Sequence, residues 1–193
     1  MPDGDATRRR ARRKPKPLDP VRLKDLALHY VARFATSSGK LEAYLRRKLR
    51  ERGWNAEEPA DIDGLVADFV AKSYVDDQAY GRMKTSGLLS RGYGARRVEQ
   101  TLRADGLGED VRAANAPDEA ERREALLAYV RRRRFGPFRV PPVDESPETA
   151  HKAREKQLAA ILRAGHSFDH ARQGVEASSE AELEEWIAEA RLS

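Results

Sequence analysis

Residues 74–106, YVDDQAYGRMKTSGLLSRGYGARRVEQTLRADG, decide the fold. Tyr74 opens the stretch, and Asp76 or Asp77 then stands where a carboxylate accepts from the free amides of a helix N-terminus. Ala79, Tyr80, Met83 and Leu88 or Leu89 follow at helical spacing. Arg91-Gly92-Tyr93-Gly94 reads as a tight turn whose glycines allow positive backbone dihedrals and a close approach of the two helices. The next helix, about 95–104, carries Val98, Thr101 and Leu102 inward and Arg96, Arg97 and Arg103 outward. Gly106 stops it in the left-handed conformation that glycine takes without strain.

The flanking segments follow the same plan. Upstream, Asp19-Pro20 starts a helix with Leu23, Leu26, Ala27, Tyr30, Val31 and Phe34 inward, ending near Ala35. A Ser-rich turn leads to a second helix, about 40–52, with Leu41, Tyr44, Leu45 and Leu49 on one side and Arg46, Arg47 and Arg50 on the other. Gly53 ends it. A third helix, about 61–72, turns Ile62, Leu65, Val66, Phe69 and Val70 inward. Downstream, a short helix spans Glu109–Asn115. A longer one, about 118–134, carries Leu126, Leu127 and Val130 and finishes in Arg131, Arg132, Arg133 and Arg134. A Pro-rich linker, 135–147, cannot continue it. Leu158, Ile161 and Leu162 mark a further helix that stops at Gly165, and Phe168–Val175 forms a last short one.

Three helices therefore end in glycine, at Gly53, Gly106 and Gly165, with Leu49, Leu102 and Ile161 four residues before. The spacing predicts an all-α chain of three tandem three-helix repeats, over 18–73, 74–116 and 117–175. Units of this kind bury their apolar faces on one another and form an elongated, curved, solenoid-like body. A polar composition suits that shape: 36% of residues are charged and 39% apolar, with mean hydropathy -0.78. Residues 1–17 hold seven Arg and Lys and three prolines, and read as a disordered basic arm. Residues 176–193 form an acidic tail with an amphipathic run, Leu183, Trp186, Ile187 and Ala190. Such a helix docks on its own body or, alternatively, binds a partner or masks the basic surface.

The chain offers little for catalysis. Without cysteine it has no disulfide, thiolate metal site or thiol nucleophile. His166 and His170 stand four apart, but His166 falls outside the helix and no third ligand is in view. Asp76-Asp77 fits a helix cap better than a carboxylate pair for metal-assisted chemistry. Arg91-Gly-Tyr-Gly lacks the Lys-Ser/Thr of a phosphate loop. No catalytic residue, cofactor or metal ligand is predicted. No apolar run reaches membrane-spanning length, and a cytoplasmic monomer is expected.

Charge is the stronger lead, with a net +5 and a pI near 9.5. Arg46, Arg47 and Arg50 match Arg96, Arg97 and Arg103 on the next unit. Arg131 to Arg134, then Lys152, Arg154 and Lys156, extend the series. Equivalent helices of a repeat array point the same way, so these residues are expected to form a basic partner- or DNA-binding face. The plain alternative is a merely solvated charged surface.

The residues also carry a family likeness. The run Tyr74-Val75-Asp76-Asp77, then Tyr80, the turn Arg91-Gly92-Tyr93-Gly94 and the basic helix ending at Gly106 resemble the RecX regulatory proteins. Tyr30-Val-Ala-Arg, the Ser-rich turn and the helix from Leu41 to Gly53 fit as well. The likeness covers about 20–175 and is strongest in the first two units. It departs at Trp54, where Phe or Tyr is common, and at the long linker 135–147. The arm 1–17 and tail 176–193 lie outside it. The resemblance implies three three-helix units that bind the RecA recombinase filament and modulate it, commonly inhibiting ATP hydrolysis and strand exchange. It implies DNA contact in some members and no catalytic residues. A helix-turn-helix-like DNA-binding protein or transcription regulator is the alternative, although three unequal units suit palindromic DNA poorly.

Overall fold

The structure, a computed structural model, describes residues 16–192, so the expected basic arm lies outside the described residues except for Lys16 and Pro17. Among them run ten α-helices: α1 (Pro20–Arg33), α2 (Ser38–Arg52), α3 (Ile62–Ala71), α4 (Asp77–Leu89), α5 (Ala95–Ala104), α6 (Glu109–Ala114), α7 (Glu119–Arg133), α8 (Pro147–Arg163), α9 (Phe168–Glu176) and α10 (Glu180–Leu192). A 3-10 turn, Gly136–Phe138, lies between α7 and α8. The fold is all-α.

Local chemistry starts these helices. Asp19, Ser37, Asp61, Asp76, Asp118, Ser146 and Ser167 each accept from the amide three residues on, at the N-termini of α1, α2, α3, α4, α7, α8 and α9. Each such cap stabilises its helix by about 1 kcal/mol. Asp118 and Glu121 cap reciprocally at α7. The bounds differ from expectation by a turn or less. The α1 helix ends at Arg33, where Phe34 turns to extended backbone, and α2 begins at Ser38 because Ser37 supplies the cap.

The apolar faces gather in three packing centres. Leu18, Leu23, Ala27, Leu41, Leu45, Ile62, Val66, Phe69 and Val75 form the first. Tyr80, Leu88, Val98, Leu102 and Leu107 form the second. The third holds Leu126, Tyr129, Val130, Ile161, Ala171, Val175 and Leu183, so α10 packs onto it, chiefly along α7. The α4 helix rests on α7, and none of the principal helix pairs among the described residues joins α1–α3 to α7–α10. The centres thus follow one another in series. Three residues expected inward lie at the surface instead: Phe34, Val70 and Met83. Phe34 falls beyond the end of α1. The α4 face that is buried runs through Tyr80, Gly81, Thr85 and Leu88, because this helix is clasped by α5, α6 and α7 together.

One contact joins successive centres and occurs twice. A Cβ on Gly39, in the first turn of α2, would lie 2.6 Å from the Gly106 Cα at the end of α5. A Cβ on Gly94, at the start of α5, would lie 2.4 Å from the Gly165 carbonyl carbon at the end of α8. The N-terminus of one second helix thus meets the C-terminus of the next, and partial charges of opposite sign face each other. The turn glycines were expected to bring their own two helices together. Gly92 alone has a positive φ, 77°, whereas Gly94 is extended (φ -79°) and serves the contact with Gly165. Gly53 has the same left-handed sign (φ 78°) but no such neighbour; its carbonyl accepts from the Leu18 amide at 2.9 Å instead.

Gly94→Val should destabilise the chain by about 1–3 kcal/mol, because the new side chain meets backbone. Gly87 sits within α4 with open space around its Cβ position. Gly87→Ala should stabilise by up to about 1 kcal/mol through helix propensity. Urea titration of both variants checks the contrast.

Candidate interaction surface

Polar groups converge where the helix ends meet. At the first junction the Ser37 hydroxyl donates to the Asp105 carbonyl. The Ser38 amide and hydroxyl donate to the Asp77 carboxylate at 2.8 and 2.5 Å. Asp76 alone caps α4, accepting from the Ala79 amide at 2.9 Å. The adjacent aspartates therefore divide the work, one local and one between units. The Asp105 carboxylate takes Lys40 at 3.0 Å, the Tyr80 hydroxyl at 2.6 Å and Lys84 at 3.6 Å. Burial alone would raise its pKa, but the Tyr80 hydrogen bond and Lys40 outweigh this and hold it below the ordinary carboxylate value. Burial, then the neighbouring Asp105, pushes the Tyr80 phenol up.

At the second junction the Gly94 amide donates to the Ala164 carbonyl at 3.0 Å and the Arg96 amide to Gly165 at 3.1 Å. His166 is buried, with Nε2 3.0 Å from the Gly92 carbonyl and its ring beside Tyr129. Its Nδ1 has no partner, and burial lowers its pKa. His170 contacts Glu119 at 3.0 Å and meets Trp186 edge-on. The two imidazoles thus serve different partners. No group of three or more metal-ligating side chains gathers among the described residues.

The arginines of the expected face fall into two sets. Arg46 is held by Glu42 and Asp63, both at 2.7 Å, and Arg47 by Glu51 at 3.2 Å. Arg103 pairs with Glu99 at 3.1 Å, Lys152 with Glu148 at 2.5 Å and Arg154 with Glu176 at 3.6 Å. Arg131 is held by Glu180, with Glu184 3.7 Å away. In contrast, Arg50, Arg96, Arg97, Arg132, Arg133, Arg134 and Lys156 are exposed and outside every ion pair among the described residues. Arg132 and Arg133 lie over the rings of Tyr129 and Phe135, at 5.7 and 5.5 Å. Arg134 takes the left-handed conformation (φ 55°) that usually falls to glycine.

The buried positions of α2, α5 and α8 can be laid over one another. Leu41 and Leu45 on α2 correspond to Val98 and Leu102 on α5, and these to Gln157 and Ile161 on α8. Arg46 therefore corresponds to Arg103, each paired to the glutamate four residues before. Lys40 corresponds to Arg97 and Lys156. Lys40 and Asp105 escaped the sequence reading, because they are partners 65 residues apart in the chain. An apolar recess of about 260 Å³ also opens beside the first junction, lined by Val31, Phe34, Tyr74 and Met83 among others. Arg91 caps its own helix end, its Nε donating to the Gly87 carbonyl at 2.7 Å. No described helix is long and apolar enough to cross a membrane.

This arrangement has counterparts. No family model matches the chain. A protein of Myxococcus xanthus (strain DK1622), the regulatory protein RecX, is 31% identical over 182 residues, covering 90% of this chain and 95% of its own. The chain belongs to the RecX family. The regulatory protein RecX of Agrobacterium fabrum (strain C58 / ATCC 33970) is 27% identical over 170 residues, covering 86% of this RecX-family chain and 88% of its own. The crystal structure of RecX from Lactobacillus salivarius has the same fold, with a TM-score of 0.55 over 90% of this chain and 97% of that one, at 14% identity. These relatives mark the chain as a regulatory protein.

Two pH effects follow. A histidine held neutral by burial contributes stability at high pH that is lost as pH falls through its unfolded value, near 6.5. Melting temperature should fall below about pH 6.5, and His166→Gln should flatten that part of the profile. A depressed aspartate contributes stability above its unfolded pKa and loses it on further acidification, so Asp105→Ala should cost about 1–3 kcal/mol at neutral pH and lose its effect in acid. Thermal melts across the pH range check both.

Proposed function

We propose that this chain binds the RecA recombinase, or its filament on DNA, and inhibits ATP hydrolysis and strand exchange. The observation that carries the reading is the 31% identity to a regulatory protein RecX across 90% of the chain. The exposed, unpaired arginines support it. Units 18–73, 74–116 and 117–175 work as one array. Its second helices carry Arg97 and Lys156, exposed and outside every ion pair among the described residues, on a surface that suits the phosphates and carboxylates of a nucleoprotein filament. The protein acts as a cytoplasmic monomer, by binding and without cofactor, metal or catalytic residue. The residues that contact the partner are Arg50, Arg96, Arg97, Arg132, Arg133, Arg134 and Lys156. Arg46, Arg47, Arg103, Arg131, Lys152 and Arg154 contribute less, because carboxylates already hold them. DNA contact is to the backbone and independent of sequence, since aromatic side chains for base stacking are mostly turned inward.

Addition of the protein to RecA on single-stranded DNA should lower the rate of ATP hydrolysis. An unchanged rate at stoichiometric amounts, with filaments verified, would reject the reading. Arg96→Glu with Arg97→Glu should weaken filament binding about tenfold, equivalent to ~1.4 kcal/mol. Arg103→Gln should change it little. Equal effects at the two places, measured by co-sedimentation, would remove the distinction between paired and unpaired arginines.

A further inference from the structure

The acidic α10 helix lies against α7, whose end carries four successive arginines, Arg131 to Arg134. Residues 16–175 hold thirty Lys and Arg against twenty-four Asp and Glu, a net of +6. Residues 176–193 hold one arginine and six glutamates, a net of -5. The C-terminal segment alone therefore brings the body close to neutrality. It does so locally. Leu183 and Ile187 are buried and anchor α10 beside α7. From that anchor Glu180 pairs with Arg131, Glu184 lies 3.7 Å from it, and Glu189 lies 4.0 Å from Arg123. Just before the helix, Glu176 lies 3.6 Å from Arg154 on α8.

Arg131 directly precedes the exposed, unpaired run Arg132, Arg133 and Arg134. Arg134 adopts a left-handed backbone at the end of α7, where glycine would be the unstrained choice. A residue kept there at some conformational cost points to a use for its charge. The Arg131 and Arg154 side chains are 52% and 53% exposed, and ion pairs of that exposure contribute little stability. Their glutamates are therefore poor as staples but effective as competitors: they occupy the guanidinium groups, and a phosphate backbone must displace them.

We propose that α10 is a built-in competitor for the polyanion surface at the end of α7, holding the affinity of the free protein for a nucleic-acid strand low. The inference rests on the basic-face reading above and adds its regulation. Binding to bare DNA stays weak because α10 already occupies Arg131 through Glu180 and because Glu184 and Glu185 repel phosphate. A partner that draws the glutamates away exposes the full arginine cluster.

Fluorescence anisotropy of the full chain with a labelled oligothymidylate, between about 50 and 200 mM salt, tests this. Glu180→Gln with Glu184→Gln should tighten binding about three- to tenfold and steepen the dependence of log K on log salt by about 0.7, one further phosphate contact to a single strand. Glu57→Gln with Glu58→Gln makes the same change of net charge on an exposed loop of the first unit and should leave the slope unchanged. Adding Arg131→Gln should abolish the gain. In the native background Arg131→Gln should alter affinity by less than about twofold, because the residue is already occupied. A gain equal to that of the loop control, or one that survives Arg131→Gln, overturns the inference. A native affinity that falls on Arg132→Glu with Arg133→Glu yet ignores the α10 substitutions overturns it while leaving the basic face in place. Absence of binding by all forms overturns both.

Discussion

The end-to-end meeting of helices at glycine is the constraint on which the architecture depends. At Gly39 with Gly106, and again at Gly94 with Gly165, two backbones come closer than any side chain permits. That proximity lets donors at one helix start face acceptors at the next helix end, as the Gly94 amide does with the Ala164 carbonyl. At the second junction the Gly94 and Arg96 amides find the Ala164 and Gly165 carbonyls, and the helix start faces the helix end with partial charges of opposite sign. The helix end at Gly53 is closed instead by Leu18, whose amide donates to the Gly53 carbonyl. The spacing of the units follows from these contacts more than from the apolar cores, which are separate.

The surface obeys a second constraint, competition among charges. An arginine on a helix exterior is held where a glutamate one turn away or across a helix pair reaches it and no other cation takes that glutamate first. Glu42, Glu51, Glu99 and Glu148 remove Arg46, Arg47, Arg103 and Lys152 from availability within their own helices. Glu176 and Glu180 do so for Arg154 and Arg131 from other parts of the chain. Five of the free cations lie at the start of α5 and the end of α7, with Arg50 on α2 and Lys156 on α8 apart from them.

Much of the fold was legible in the residues. Helix starts at Asp19, Ser146 and Ser167, and stops at Gly53, Gly106 and Gly165, are local events in which a side chain or a missing Cβ acts on its own backbone. Phe34, Val70 and Met83 were placed inward by periodicity and lie outward. Periodicity names a stripe, while the width and direction of burial depend on how many neighbours clasp the helix. The candidate face was less legible. Its residues could be named, but their pairing could not: the Arg46–Asp63 and Arg131–Glu180 contacts link different helices.

By itself, then, the sequence determined the helical class, the helix ends, the likeness to RecX proteins and the excess of arginine. These are set by short-range chemistry and by motifs a few residues long. Tertiary structure alone decided that Asp77 crosses to Ser38 while Asp76 caps, that Gly94 serves a neighbouring unit instead of its own turn, and which arginines are free. Each of those outcomes is a contact between residues distant in sequence, fixed only when helix ends dock, and no local pattern encodes the partner.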